Sequence, residues 1–303
     1  MTTDASTHDT PTPAGAVVAA IDGSHRDPAV LDWAAAEAVS VGAPLHLVHA
    51  VDLGTPLSAY GELLTSPDIV DKVEQECIRV ATDAKARVVG AHPELPVTTA
   101  LPTGAPAGAL LNASDGARLL VVGSARKTKA ERIVLGTTSL SVVAHSPCPV
   151  VLVPENCDTT GDGRVVVGID GSEHSRLAFE HALAAAALRG KSVTAVTSWN
   201  VEVVNGVVVT EPGSPEWEMV DTRYRTMAEA TVAELRAAHP QIEVTVEVHH
   251  GRAADTLVEV AQGADLLVVG SRGRGGFRGM LLGSISQRVL GRATVPVAVL
   301  HKQ

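Results

Sequence analysis

A basic, glycine-rich stretch near the end of the chain contains the residue types of a phosphate-binding loop. It spans residues 270–284, directly follows the apolar run 266–269, and carries Arg272, Arg274 and Arg278. Glycines allow an anion to approach the backbone closely, and N–H groups in such a loop and at the start of the next helix point at that anion. The chemistry predicted for this stretch is therefore the binding of phosphate groups.

The stretch does not match three well-known enzymatic loops. A G-x-x-x-x-G-K-[ST] phosphate loop needs a lysine, and residues 270–284 contain none. In the dinucleotide pattern G-x-G-x-x-G, Gly273 and Gly275 fit but Arg278 occupies the last position. A G-x-S-x-G nucleophile elbow would require glycine at Val269. The pattern that does fit is G-x-x-G-x9-G-[ST], at Gly270, Gly273, Gly283 and Ser284.

The chain contains this arrangement twice. Gly123 precedes Gly270 by 147 positions, and Asp22 precedes Asp170 by 148 positions. Repeats of this length are whole domains rather than the small units of a solenoid. We therefore predict a disordered tail at 1–14, a first domain at 15–154, a linker at 155–163 and a second domain at 164–303.

The elements that position the loops are predicted to alternate between strands and helices. Apolar runs predict strands at 17–21, 45–51, 97–101, 119–122 and 150–153, and again at 165–170, 193–199, 244–248, 266–269 and 297–300. Helical periodicity falls between them, for example at 176–188 and 219–238. This order predicts an α/β fold, with a five-stranded parallel sheet and helices on both faces in each half.

In such a sheet the ligand site lies beyond the carboxyl ends of the strands, at the point where strand order reverses. Strands one and four would be neighbours there, so Asp170 would face Gly270 across one crevice. An aspartate before Gly171 and Ser172 is also typical of an Asx turn. A ligand role and a turn role for Asp170 both remain open.

Composition narrows the classes of function. A formal net charge of −10 argues against a general nucleic-acid binder. No apolar run approaches the roughly 18 residues of a membrane span, and the polar start lacks a signal-peptide core, so we expect no membrane partner and a cytoplasmic location. Cys77, Cys148 and Cys157 show no C-x-x-C spacing, which favours reduced thiols and no metal site.

The motifs together resemble one family. V-G-I-D-G-S at 167–172, G-S-R-G-R-G-G at 270–276, and the prolines Pro149 and Pro296 before the fifth strands resemble the universal stress proteins, in their tandem, ATP-binding actinobacterial type. The resemblance covers residues 16–302. It implies two tandem Rossmann-like domains of the adenine nucleotide alpha hydrolase type, ATP as the ligand and Mg2+ bridging its phosphates. It also implies intrachain pairing of the domains through their fifth strands, a homodimer, and an unknown regulatory protein partner.

In the second half the resemblance implies adenosine contacts, phosphate contacts along the loop, and terminal-phosphate contacts at the start of the next helix. The adenosine residues are Gly168, Asp170 and Ser198. The loop residues are Gly270, Ser271, Arg272, Gly273, Arg274, Gly275 and Gly276. The helix-start residues are Gly283, Ser284, Ile285 and Ser286.

In the first half the implied contacts are Asp22, Ala50, Gly123, Ser124, Arg126, Gly136, Thr137 and Thr138. This half departs from the pattern, because Arg126 replaces the second glycine and Ala20 stands where the other half has Gly168. Arg126 would be disfavoured if its backbone needed positive φ. Alternatively, Arg126, Lys127 and Lys129 could supply phosphate-binding charge. Both outcomes remain open.

The resemblance favours a nucleotide-dependent stress or dormancy regulator rather than a fast enzyme. Fast phosphoryl transfer requires a lysine or a metal-binding carboxylate beside the phosphates, and none is evident in the loop sequence. Two alternatives stay open. One is a slow ATPase, nucleotide hydrolase or adenylate-transferring enzyme on the same scaffold, and the other is a scaffold that acts through a partner-binding surface.

Overall fold

The computed structural model describes most of the chain, in two compact units, Met1–Asn156 (unit 1) and Cys157–Gln303 (unit 2). The described residues are 10–52, 67–124, 136–155, 157, 161–201, 203–204, 206–208, 211–274 and 281–302. The three cysteines are free thiols. Across these ranges, no helix has both the length and the apolar character needed to cross a membrane.

Unit 1 alternates strands and helices along the chain. Its elements are β1 (Val17–Ala20), α1 (Asp27–Val41), β2 (Leu45–Val48), α2 (Pro67–Ala91), β3 (Val97–Ala100), α3 (Pro106–Ala113), β4 (Leu119–Ser124), α4 (Thr137–His145) and β5 (Val150–Pro154). The strands form a parallel sheet in the order β3-β2-β1-β4-β5.

Unit 2 repeats this alternation and adds a small hairpin. Its elements are β6 (Arg164–Gly168), α5 (Glu173–Arg189), β7 (Ser192–Trp199), β8 (Val203–Val204), β9 (Val207–Val208), α6 (Pro215–Ala238), β10 (Val244–His250), α7 (Ala253–Val260), β11 (Leu266–Gly270), α8 (Ser284–Leu290) and β12 (Val297–Leu300). The parallel sheet has the order β10-β7-β6-β11-β12, and β8 pairs with β9 antiparallel.

The first strand of each unit lies between the second and the fourth strands. Val17 pairs with Leu119 in unit 1, and Val165 pairs with Leu266 in unit 2. The chain leaves this central strand first to one side of the sheet and later to the other, which opens a crevice at its carboxyl end. The predicted fold class, a duplicated α/β domain with a parallel sheet, is confirmed.

Two helices of unit 2 begin earlier than the sequence periodicity predicts, because serines cap them. The Ser172 hydroxyl accepts the Ser175 N–H at 3.2 Å, so α5 begins at Glu173 rather than at 176. The Ser214 hydroxyl accepts the Trp217 N–H at 3.2 Å, and α6 begins at Pro215 rather than at 219.

The structure corrects the predicted limits of some strands and adds two elements that the sequence analysis did not predict. β2 ends at Val48 rather than at 51, and β6 ends at Gly168 rather than at 170. The helix α7 and the β8–β9 hairpin were not predicted. The helix α7 is eight residues long, so its apolar pattern covers only about two turns. Each hairpin strand has two residues, which is too few for an alternation to be recognised.

Candidate functional site

Unit 2 contains a cavity of about 530 Å3 at the carboxyl ends of β6, β7 and β11. This volume lies in the range of small-molecule and cofactor sites, roughly 300–1,000 Å3. Most of the residues predicted as ligand contacts in this half line it. They are Gly168, Asp170, Ser198, Gly270, Arg272, Gly273, Arg274, Gly283, Ser284, Ile285 and Ser286.

Asp170 holds the glycine-rich loop against the end of β6. Its Oδ1 accepts the Ser172 N–H at 2.9 Å, which is an Asx turn, and its Oδ2 accepts the Arg274 N–H at 2.9 Å. The Asp170 side chain therefore forms the turn and also lines the crevice. Asp170 thus fixes the position of the loop backbone at Arg274, beside the cavity.

The hydrogen bond between Arg274 and Asp170 requires glycine at position 273. A Cβ atom at Gly273 would overlap with Asp170 Oδ2. Sterics therefore explain why glycine occupies the second position of the G-x-x-G pattern. Only a residue without a side chain lets the loop backbone reach the Asp170 carboxylate.

We predict that Gly273→Ala displaces the loop from Asp170 and lowers affinity for a phosphate-bearing ligand by about tenfold or more, the equivalent of one charge-assisted hydrogen bond. Amide hydrogen exchange at Arg274 should become faster in the variant, and isothermal titration should show the weaker binding. Gly90→Ala is a suitable control, since a Cβ there meets no atom within 4 Å in the described part of the chain. Unchanged exchange at Arg274 would show that Gly273 is not needed for the contact.

Backbone hydrogen bonds close the loop at its base. The Ser271 N–H donates to Leu300 O, and the Gly283 N–H donates to Ser271 O, each at 2.7 Å. The Ser286 hydroxyl donates to Gly270 O at 2.7 Å. Ser271 is buried and does not line the cavity, so its position supports the loop. The predicted contacts Gly275 and Gly276 lie outside the described residues.

The electrostatics of this cavity favour an anion. Arg272 and Arg274 line it together with Asp170, so the described side chains carry two positive charges against one negative charge. Burial lowers the pKa of His174, and the nearby charges of Arg272 and Lys302 lower it further. A phosphate group would offset this local excess of positive charge.

Several cavity residues were missed by sequence reasoning. Tyr224 and Met227 reach the cavity from α6, and Leu257 reaches it from α7. A Cβ at Gly168 would lie 3.2 Å from Leu257 Cδ1, so that glycine lets the strand and α7 pack closely. The spacing of Tyr224 and Met227 on one helix face was the available signal for the first pair. Leu257 could not be found because α7 itself was not predicted.

Unit 1 has a smaller cavity, of about 320 Å3, in the equivalent place. The predicted contacts that line it are Asp22, Ala50, Gly123, Gly136 and Thr138. Ser124 and Thr137 are not among its lining residues. Arg126 lies outside the described residues, as do Lys127 and Lys129.

The carboxylate of Asp22 has a different partner from that of Asp170. Its Oδ1 accepts the Ser24 N–H at 3.0 Å, but its Oδ2 accepts Nη2 of Arg26 at 2.6 Å. Burial raises the pKa of Asp22, yet hydrogen bonds from Ser24 and Arg26 outweigh burial and hold the pKa below its usual value. Burial, with the neighbouring charge of Asp22, raises the pKa of Asp27 to about 6. The sequence comparison of the two halves did not include Arg26 and its counterpart His174, so the partner of Asp22 was missed.

Each unit therefore has the topology and the crevice of a Rossmann-like α/β domain, the class of fold in which ligands bind at the carboxyl ends of the strands. The universal stress protein family model matches residues 14–154 and 163–301. The chain belongs to the universal stress protein family, with two tandem domains.

Relatives and solved structures agree with this assignment. A universal stress protein of Mycolicibacterium smegmatis is 33% identical over 290 residues, covering 94% of this chain and 96% of the relative. One from Mycobacterium tuberculosis is 34% identical over 295 residues, covering 94% and 97%. The crystal structure of a universal stress protein from Archaeoglobus fulgidus covers 96% of this chain and 99% of its own, with a TM-score of 0.72 and 22% identity, and supports the fold.

Proposed function

We propose that the unit 2 cavity binds ATP and that the protein is a cytoplasmic, nucleotide-dependent regulator of stress or dormancy rather than a fast enzyme. The observation that carries the proposal is the contact between Asp170 and the glycine-rich loop, at the mouth of a cavity with a local excess of positive charge. A ligand in this cavity would lie against the loop and against the strand ends, so its presence would bear directly on the position of the loop.

The residues present fit ATP. Arg272, Arg274 and the backbone at Gly283 would hold the phosphates, and Asp170 would face the sugar. The cavity is also lined by apolar side chains that suit a base, namely Ile169, Val196, Leu257 and Val269. The chain has few aromatic residues, 2%, so aliphatic contacts rather than ring stacking would hold the base.

A bound Mg2+ would depend on the phosphates for most of its ligands. Within the described ranges no group of three His, Cys, Asp or Glu side chains is placed to hold a metal ion. Asp170 is the acidic residue that lines the described cavity, and both its oxygens already accept backbone N–H groups. Mg2+ commonly keeps several waters and binds substrate phosphates, which suits this arrangement. The same lack of a spare carboxylate favours slow turnover or none.

Nucleotide content tests the proposal. We expect denaturation of the purified protein to release ATP, or the stripped protein to bind added Mg-ATP saturably, with binding retained in Gly136→Val of unit 1. Chromatography with mass detection and isothermal titration measure the two quantities. Protein that neither releases nor takes up nucleotide would favour the partner-binding scaffold. Steady phosphate release would favour the slow hydrolase.

A further inference from the structure

The strand β10 forms one edge of the unit 2 sheet. It pairs in parallel with β7, and no other described strand pairs with it. Glu243 O accepts the Val193 N–H at 2.9 Å, and the Gly251 N–H donates to Trp199 O at 2.8 Å. Because backbone direction alternates along a strand, the odd-numbered residues between these two bonds also face β7. The N–H and C=O groups of the even-numbered residues therefore point outward, namely those of Val244, Val246, Val248 and His250.

The edge strand of unit 1 is protected against pairing with another chain, whereas β10 is not. The strand β3 has four residues and lies between Pro96 and Pro102, which have no N–H to donate. The strand β10 has seven residues, with neither proline nor lysine among them, and every one of them is partly or fully exposed. Short strands, prolines and lysines are the usual means by which a sheet edge avoids intermolecular pairing. The outward side of β10 is therefore suited to the addition of another strand.

The polar side chains of β10 complement a second copy of the same strand. Glu247 and His249 lie on one face, with His249 Nε2 at 2.8 Å from Glu247 Oε2, and both side chains are more than a third exposed. If two copies of β10 paired antiparallel about Val248, Glu247 of each copy would lie opposite His249 of the other. A register centred one residue earlier would place two Glu247 carboxylates opposite each other, which is unfavourable.

We propose that β10 pairs antiparallel with β10 of a second copy of this chain, centred on Val248, and that Glu247 and His249 determine the register. The outward groups of Val246, Val248 and His250 then form three hydrogen-bonded pairs, with about six N–H···O bonds in all. Glu247 and His249 fall at the intervening positions, where opposed side chains are closest. No described residue of β10 lines the unit 2 cavity, so the proposal does not depend on nucleotide binding.

Sedimentation equilibrium of the full chain tests the proposal, and we expect a reversible dimer. Val246→Pro removes an outward N–H without breaking a bond to β7, so it should raise the dimer dissociation constant about tenfold or more and keep the fold. Thr99→Pro in β3 is the matched control. Ala100 O accepts the His49 N–H at 3.0 Å, so the N–H of the preceding Thr99 also points outward. We expect this control to leave the dimer unchanged, and thermal melting by circular dichroism checks that both variants fold.

A charge exchange tests the register without proline. Glu247→Lys alone should raise the dissociation constant about threefold or more, and adding His249→Glu should restore it, because opposite charges again face each other. Amide hydrogen exchange at Val246 and Val248 should slow as protein concentration rises, while exchange at Glu247 and His249 stays the same. A chain that remains monomeric at high micromolar concentration would overturn the proposal, and so would a dimer that neither Val246→Pro nor Glu247→Lys weakens.

Discussion

Gly283→Val is expected to abolish ATP binding in unit 2, with a loss of affinity of about 100-fold or more. The backbone of Gly283 closes the loop, because its N–H donates to Ser271 O at 2.7 Å. A Cβ at Gly283 would lie 3.4 Å from Ser271 O and 3.6 Å from Arg272 Cα. Valine places two further methyl groups in this narrow gap between the loop and the start of α8, where the proposal puts the phosphates. Loss of about 2.7 kcal/mol of binding free energy corresponds to that factor.

The geometry also provides graded controls for this substitution. Gly283 has φ −74, so a side chain there causes no backbone strain. Gly283→Ala adds only the Cβ at ordinary contact distance, and we expect it to retain most of the affinity. Gly136→Val is the equivalent change in unit 1, and a Cβ there meets no atom of the described residues within 4 Å. Isothermal titration of the three variants with ATP should rank them clearly, and a Gly283→Val protein that binds like the wild type would refute the assigned phosphate position.

The fold could be predicted from the sequence because its signal is local. The strands are short apolar runs, and those at the centre of each unit are fully buried, as at Val17 and Val165. Buried parallel strands require such runs, so strands and their alternation with helices could be recognised without any knowledge of contacts. The repeat spacing then indicated that the domain is duplicated. The elements that were not predicted, α7 and the β8–β9 hairpin, are short.

The candidate site was only partly predictable, because its key contacts join residues distant in sequence. The glycine spacing indicated the loop, but the hydrogen bond from Arg274 to Asp170 spans 104 positions. Nothing in the pattern showed that Gly273 is needed for this particular carboxylate. Arg26 illustrates the converse. Its position four residues after Asp22 was visible in the sequence, yet its meaning depends on which donor the aspartate accepts, and only the folded geometry supplies that.

Asp170→Ala is expected to lower ATP affinity in unit 2 by about 100-fold. The substitution removes the acceptor for the Arg274 N–H and the acceptor that forms the Asx turn with Ser172. Each hydrogen bond to a charged group is worth about 1.5–3 kcal/mol, and the predicted sugar contact is lost as well. Amide exchange at Arg274 should accelerate together with the loss of ATP binding in a titration, since the same carboxylate serves both.

The variant Asp170→Asn distinguishes two roles of Asp170, namely holding the loop through its carboxylate and forming the Asx turn. Asparagine forms Asx turns readily, so it would preserve the bond to Ser172 through its amide oxygen. Its amide NH2 would then face the Arg274 N–H, which places a donor against a donor. We therefore expect Asp170→Asn to bind ATP nearly as weakly as Asp170→Ala, while Ser172→Ala, which removes only the α5 cap, keeps most of the affinity. Wild-type affinity in Asp170→Asn would mean that Asp170 only shapes the turn, and that the backbone closure between Ser271 and Gly283 is what holds the loop in place.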